Sequence, residues 1–380
     1  MTPPSRSDDL ASFDLKTSRQ LHDRVRRFID DHTAGRQPVD SFDALAVDLA
    51  RHQHAGMTGV ERLYFARGVD VHSIGRASQV PAVPTDVFKL RRVACHPPGL
   101  DEVVFLTSGT TLGTRGQHAV RDADTYRRGA RLWASRMLYP DTDKLHWVIL
   151  APPYEEARSS SLGFMLDDLS TVAGSSVTWA VRGGRMEVDA IERAVASSMA
   201  DGSPIIMAGA SFAFVHLLDA LGGRQLPIGP VGRVMQTGGF KGKSRVVDGE
   251  TLRGDIARAL GVDSQRIVSE YGMTELGSQA YEGRLRKGQG GAADVFLGPP
   301  WMRVTAVHEE SLEPVAVGEV GIARIEDLTN VDSAVAVQTA DRITTCEGGF
   351  RLLGRTEGAS PRGCSIGIDE ILRPREEGEP

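Results

Sequence analysis

The stretch Thr107-Ser108-Gly109-Thr110-Thr111-Leu112-Gly113-Thr114-Arg115-Gly116 places hydroxyls and glycines directly after an apolar run, Val103-Val104-Phe105-Leu106. Glycines let backbone N–H groups approach an anion, and the hydroxyls add donors, so these residue types in this order suit a phosphate. A Walker-type loop is excluded, because no Gly-Lys-Ser/Thr follows at the required spacing. The competing reading is an ordinary polar turn. Gln236-Thr237-Gly238-Gly239-Phe240-Lys241-Gly242-Lys243 follows a second apolar run. Its paired glycines admit a flat ring or a phosphate against backbone, and Lys241 and Lys243 supply charge; a tight turn with solvated lysines would look the same. Tyr271-Gly272-Met273-Thr274-Glu275 offers an aromatic face, a close-approach glycine, a hydroxyl and a carboxylate. It would also serve as a helix start capped by Thr274. Thr339-Ala340-Asp341-Arg342 ends an expected strand with a carboxylate suited to sugar hydroxyls, or to a surface ion pair. Gly354-Arg355-Thr356-Glu357 and Arg362-Gly363-Cys364 read as turns. Each stretch is weak alone; their joint order says more.

The elements that must carry these stretches alternate. Before about Val80 the chain reads as helical: Leu21, Val25, Phe28 and Ile29 recur at helical spacing, as do Phe42, Leu45 and Leu49. Val80-Pro81-Ala82-Val83-Pro84 breaks helix and runs extended. Beyond it, strands are expected at 103–106, 145–151, 176–181, 204–208, 232–236 and 266–269. Helices are expected at 122–138, 160–173, 187–200, 210–221 and 250–260. Such alternation predicts an α/β fold, a mainly parallel sheet covered by helices. From about Trp301 short β-rich runs follow, 303–308, 320–325 and 334–338, as in a small appended β subdomain. The expected organisation is a helical region 1–80, an α/β core 81–300, a β-rich subdomain 301–373, and an acidic, disordered tail 374–380.

Composition narrows the partners. The chain has 380 residues, 41% hydrophobic and 25% charged, ordinary for globular proteins. Net charge is -6 and the pI about 6.0, basic residues are scattered, and aromatics are 6%. Nucleic acid is therefore not the expected ligand. The three cysteines, Cys95, Cys346 and Cys364, fit no zinc spacing, and an odd count suits a reduced, cytoplasmic setting. The first residues lack the apolar core of a signal peptide, and no apolar run approaches membrane-spanning length. His52 and His54, the one close histidine pair, read as a solvated helix face rather than a metal site.

The order of the stretches resembles the adenylate-forming superfamily of acyl-CoA synthetases, peptide-synthetase adenylation domains and luciferases. Thr107 to Gly113 is similar to its Thr-Ser-Gly-Thr-Thr-Gly phosphate loop, and Tyr271 to Glu275 matches its Tyr-Gly-Met-Thr-Glu motif residue for residue. The resemblance spans about residues 80–370. It implies ATP and Mg²⁺ as cofactors and that superfamily's N-terminal-domain fold. Thr107, Ser108, Thr110 and Thr111 would hold the β/γ-phosphates; Gly238, Gly239 and Tyr271 the adenine; Thr274 the α-phosphate; Asp341 and Arg355 the ribose; and Gly109, Gly272 and Met273 would also line the nucleotide. Glu275 would hold Mg²⁺. Within the superfamily, Pro81-Ala82-Val83-Pro84, Phe88-Lys89, Ser160 to Met165, Thr237 to Arg245 and Arg362 to Ser365 resemble the acyl-protein synthetases of the bacterial bioluminescence fatty-acid reductase system, relatives of phenylacetate-CoA ligases. In that family the activated acyl group passes to a cysteine near the C-terminus, and Cys364 falls there, with Arg362 beside it to favour the thiolate.

Three departures qualify the match. Leu112 interrupts the phosphate loop, which has no following Pro-Lys, and Ala340 replaces the glycine usual before the ribose aspartate. Set against the resemblance, the chain is expected to lack most or all of the mobile C-terminal domain with its catalytic lysine. The adenylating cation is then expected among Lys241, Lys243, Arg245 and Arg362. Ser161, Phe164, Gly209 and Ala210 are the residues expected to line the pocket for a small-molecule carboxylic acid. The expected reaction is carboxylate activation followed by transfer to Cys364, with an acyl reductase as partner. One alternative is a free-standing ligase that hands its adenylate to CoA, a carrier-protein thiol or an amine. Another is a non-catalytic, nucleotide-binding partner subunit of an acyl reductase.

Overall fold

The computed structural model describes residues 13–107, 115–238, 247–286 and 294–355. In chain order the main helices are α1 (Leu15–Thr33), α2 (Phe42–Gly56), α3 (Thr58–Ala66), α4 (Val87–Leu90), α5 (Ala123–Met137), α6 (Ser161–Ala173), α7 (Val188–Asp201), α8 (Ser211–Leu221) and α9 (Gly249–Leu260). The strands are β1 (Val83–Pro84), β2 (Val103–Leu106), β3 (Gln117–Val120), β4 (Leu145–Ile149), β5 (Gly174–Trp179), β6 (Val181–Arg182), β7 (Arg185–Met186), β8 (Ile205–Ala210), β9 (Arg233–Thr237), β10 (Ile267–Tyr271), β11 (Ala280–Glu282), β12 (Phe296–Leu297), β13 (Met302–Val307), β14 (Val320–Asp327), β15 (Ala336–Cys346) and β16 (Gly349–Arg355). The chain divides into two compact units. One comprises residues 1–129, 274–278 and 298–380; the other comprises 130–273 and 279–297. The helical region and the β-rich segment, distant in sequence, thus share a unit, and residues 81–129 go with them.

The second unit carries the parallel sheet. Strands β10, β9, β8, β4 and β5 lie side by side in that order, all parallel, and β11 and then β12 continue antiparallel beyond β10. Numbered by appearance, the parallel strands run 2-1-3-4-5, a doubly wound order whose topological switch falls between β4 and β8. The central strands β4 and β8 are mostly apolar runs, and Val148, Met207, Val234 and Ile267 are fully or almost fully buried. Helices α7, α8 and α9 pack Ile191, Phe214, Leu217 and Ile256 onto the same core. Local chemistry sets the helix ends. Asp248 accepts from the N–H groups of Glu250 and Thr251 at the start of α9. Gly261, at φ +59°, terminates that helix in the left-handed conformation that glycine adopts most readily.

In the first unit β13, β14, β15 and β16 form an antiparallel meander, and β1 joins β15 in parallel. Asp14 caps α1 and Ser41 caps α2. The apolar face of α1 (Leu21, Val25, Phe28, Ile29) is buried as its spacing requires. Asp332 ties these helices down: its carboxylate accepts from Ser18 (2.6 Å), Arg121 (2.7 Å), His52 (3.0 Å) and His22 (3.1 Å). His52 is therefore a buried anchor and not a solvated face, and half-buried His54 stacks edge-on against Tyr64.

Four further readings, one of them the competing helix-start reading of Thr274, need correction. Strand β2 is not part of the parallel sheet; it pairs antiparallel with β3 in a separate hairpin. Its unbroken apolar run imitates a buried parallel strand, while short, partly polar β3 gave no signal. Asp341 does not end a strand, because β15 runs on to Cys346 with a register shift at Arg342/Ile343. Gly354 and Arg355 lie in strand β16 rather than a turn, held by the neighbouring β15. Thr274 opens no helix: it lies in the turn that joins β10 to β11.

Candidate functional site

In the second unit the candidate residues collect at the carboxyl ends of adjacent parallel strands. Gly209 and Ala210 close β8, Thr237 closes β9 with Gly238 following, and Tyr271 closes β10 with Gly272 following. Ligands of open α/β sheets bind at this edge, beside the switch point. Ser211, first residue of α8, donates to Gly238 O (2.8 Å) and fixes the turn after β9. Gly238 sits at φ +66°, exposed, a conformation open to glycine at little cost. The Thr237 hydroxyl donates to the Glu270 carboxylate on the neighbouring strand. Any side chain at Gly272 would collide with that same carboxylate, so Gly272 has a packing reason to be glycine. Tyr271 is buried and packs edge-on to Phe296, with ring centroids 6.1 Å apart. Gly209 has no open space: a Cβ there would stand 2.9 Å from Leu150 Cβ, so its smallness serves the packing of β8 against the end of β4. Ser161 opens α6, half-buried, behind the Ser160 cap, and Phe164 is buried against Tyr154.

In the first unit the base of the β2–β3 hairpin is closed by two hydrogen bonds. Thr107 N–H donates to Gly116 O (2.9 Å), and Gly116 N–H donates to Thr107 Oγ1 (2.8 Å). A Cβ at Gly116 would lie 2.9 Å from Thr107 Cγ2 and 3.4 Å from Lys89 Cγ, so this base is tight and the Lys89 stem runs beside it. Ser108, Gly109, Thr110 and Thr111 lie outside the described residues, as do Gly239, Lys241, Lys243, Arg245, Arg362 and Cys364.

The turn 274–278 is held from three sides within the same unit. Thr274 O lies 2.7 Å from His118 Nδ1. A carbonyl can only accept, so Nδ1 carries the proton. Burial pulls His118 down to about 4, against the opposing effect of the Thr274 hydrogen bond; nearby His96 lowers it further. The ring is therefore neutral near pH 7. Asn330 donates to Glu275 O (2.9 Å). The fully buried Asp327 carboxylate accepts from the N–H groups of Gly277 (3.0 Å) and Ser278 (2.8 Å). Burial pushes the Asp327 carboxyl up, opposed by its bonds from Ser278 and Thr329. Asp341 and Arg355 are cross-strand partners on β15 and β16, with Arg355 Nε 3.6 Å from Asp341 Oδ1. Arg355 is exposed and Asp341 half-buried. Cys95 is buried, its thiol pushed well up by desolvation, which suits a structural role.

Sequence reasoning missed the supports: His118, Asn330 and Asp327 under the 274–278 turn, and Ser211 and Glu270 around Thr237. Ser211 and Glu270 stand beside strand ends already singled out. The other three are remote in sequence from what they hold, and only the fold brings them there.

No family model matches the sequence, and no curated protein matches it. Among solved structures, 2-hydroxyisobutyryl-CoA ligase in an open conformation, in complex with 2-HIB-AMP and CoA, is similar over 96% of this chain and 82% of its own, at 12% identity and a TM-score of 0.59. ATP-bound MatB from Rhodopseudomonas palustris covers 89% of this chain and 73% of its own, at 14% identity and a TM-score of 0.48. The amide bond synthetase McbA from Marinactinospora thermotolerans covers 68% of this chain at 18% identity and a TM-score of 0.46, and this chain spans 50% of McbA's length. No described helix is long and apolar enough to cross a membrane. The fold is that of the N-terminal domain of the adenylate-forming ligases.

Proposed function

We propose that this chain activates a small-molecule carboxylic acid with ATP as an acyl-adenylate and passes the acyl group to a thiol, its own Cys364. One observation carries the reading: Ala210, Thr237-Gly238 and Tyr271-Gly272 share the carboxyl edge of a 2-1-3-4-5 parallel sheet, with Ala210 beside its switch point. A carboxylate is a poor acyl donor because its leaving group is oxide. Attack of the carboxylate on the α-phosphorus forms the acyl–O–P link, and the bond to pyrophosphate breaks. Charge spreads over phosphoryl oxygens in that step, so positioned donors supply most of the catalysis.

In this scheme Gly238, Gly239 and Tyr271 take the adenine, flanked by Gly272 and Met273, and Asp341 and Arg355 take the ribose. The 107–111 hydroxyls and backbone hold the outer phosphates, and Thr274 holds the α-phosphate. Glu275 would hold Mg²⁺ together with phosphate oxygens; one carboxylate plus substrate phosphates is a usual magnesium environment. The metal would neutralise phosphate charge. Lys241 and Lys243 are the cations proposed for the adenylation step. Ser161, Phe164 and Ala210 are proposed to face the acid, with Gly209 letting β8 approach the end of β4.

The experiment is pyrophosphate–ATP exchange dependent on a panel of carboxylic acids. Exchange that appears with one acid class, and is lost in a Ser108→Ala, Thr110→Ala double variant, is expected. Full exchange in that variant would overturn the phosphate assignment, and no exchange with any acid would favour a non-catalytic partner of an acyl reductase. Intact mass after incubation with ATP and the active acid tests the second step, since the acyl group should add to the Cys364 peptide. The likeness to a ligase crystallised with both its acyl-AMP and CoA supports a second reading, in which CoA, a carrier-protein thiol or an amine accepts the acyl group. Product formation by Cys364→Ser with an added acceptor would favour it.

A further inference from the structure

The opposite edge of the same parallel sheet holds a second constellation. Ser176 on edge strand β5, His146 on β4, and Asp201 at the end of α7, just before β8, meet at the amino ends of their strands. Ser176 Oγ lies 2.6 Å from His146 Nδ1, and His146 Nε2 lies 2.7 Å from Asp201 Oδ2. We propose that Ser176, His146 and Asp201 form a nucleophile, base and orienting carboxylate that react with small activated esters.

The proton assignment follows from the partners. The Ser203 N–H (2.8 Å to Asp201 Oδ1) and His146 hold the Asp201 carboxyl below the usual carboxylate range, so it is ionised and only accepts. In the neutral ring, Nε2 therefore carries the hydrogen, Nδ1 is bare, and the Ser176 hydroxyl must donate to it. That is the arrangement a general base needs to take the proton of an attacking hydroxyl. The carboxylate is fixed by its turn: Gly202 at φ +72° ends α7, and Ser198 Oγ donates to Ser203 O (2.7 Å). An acidic residue at a helix C-terminus is disfavoured by the helix dipole, so helix stability does not explain Asp201 there.

Access and stabilisation fit as well. Ser176 is exposed, while His146 is only 3% exposed and so has few other orientations. β5 ends the strand order, and Ala180 N–H points inward to Ile149 O (2.8 Å). By strand alternation, residue 178 and then Ser176 also turn their backbone groups inward, and the Val177 N–H faces the open edge, one residue after the nucleophile. A donor in that position serves a developing oxyanion.

In the proposed step Ser176 Oγ bonds to the ester carbonyl carbon and its proton moves to His146 Nδ1. The carbon–oxygen bond to the leaving group breaks, and that oxygen takes the proton. Water then reverses the sequence and frees the acid.

The test is labelling of the full chain with a fluorophosphonate probe, where the Oγ–P bond forms as fluoride leaves, followed by intact mass and peptide mapping. A single adduct on the Ser176 peptide is expected, absent in Ser176→Ala and formed at least about tenfold more slowly in Asp201→Asn with unchanged melting. An unlabelled Ser176, adducts only at other residues, or an Asp201→Asn rate equal to the unaltered chain would each overturn the proposal.

Discussion

His118 makes a pH prediction that the geometry sizes. Its Nδ1–H donates to Thr274 O at 2.7 Å, and burial brings its titration from the ordinary 6.5 to about 4. The folded chain keeps the ring neutral until about pH 4, whereas the unfolded chain takes up the proton near 6.5. Between those values the unfolded state binds more protons, so this contribution is present above about pH 6.5 and lost as pH falls toward 4. At about 1.4 kcal/mol per tenfold change, the full loss is roughly 3 kcal/mol, with about 2 kcal/mol of it gone by about pH 5. In His118→Asn the amide can donate to the same carbonyl without titrating. Native-state amide exchange of strand Gln117–Val120, corrected for intrinsic pH dependence, reads the stability of this unit. The variant should lose about 2 kcal/mol less than the unaltered chain between about pH 7 and pH 5. Parallel curves for the two proteins would refute the claim that a buried neutral imidazole holds the Thr274 turn.

Three further outcomes are expected. Asp332→Asn leaves the half-buried Arg121 guanidinium without its buried carboxylate partner, and should cost about 3 kcal/mol in urea unfolding. It should also expose α1 and α2 to limited proteolysis. Gly116→Ala puts a methyl 2.9 Å from Thr107 Cγ2 and breaks the clasp at the hairpin base; acid-dependent pyrophosphate exchange should fall at least about tenfold with the melting temperature nearly unchanged. Glu275→Gln keeps the Glu275 carbonyl bond from Asn330, so far-UV circular dichroism should match the unaltered chain while exchange falls about a hundredfold or more.

The parallel sheet and its helices were legible in the sequence because its central strands β4 and β8 are mostly apolar and the helices between strands show apolar residues at helical spacing. The hairpin was not, because Val103–Leu106 is as apolar as a buried parallel strand and Gln117–Val120 is too short and polar to signal pairing. The end of strand β16 was missed for a related reason: Gly354-Arg355 reads as a turn, and only pairing with β15 makes the segment extended. The pentapeptide at Tyr271 was legible as chemistry because its residue types are contiguous. Its supports were not, since His118 reaches Thr274 across 156 residues and Asn330 reaches Glu275 across 55. His52 was misread because two histidines two residues apart on a polar helix give no sign of a buried carboxylate 280 residues away.

The sheet in the second unit also explains why two chemistries can occupy one framework. In a parallel sheet every strand presents its carboxyl end to one edge and its amino end to the other, so residues that follow strands and residues that precede them are sorted without further design. Thr237 and Tyr271 close their strands and Gly238 and Gly272 follow them; His146 and Ser176 sit near the starts of theirs, and Asp201 comes just before one. Five residues of parallel strand rise about 17 Å. A substitution at one edge can therefore reach the other only by shifting the buried middle of a strand, where Trp147, Val148 and Met207 leave no room. Pyrophosphate exchange and serine labelling should for that reason respond to separate sets of variants. Their joint loss in one variant would mean that the sheet itself has failed, which melting would reveal.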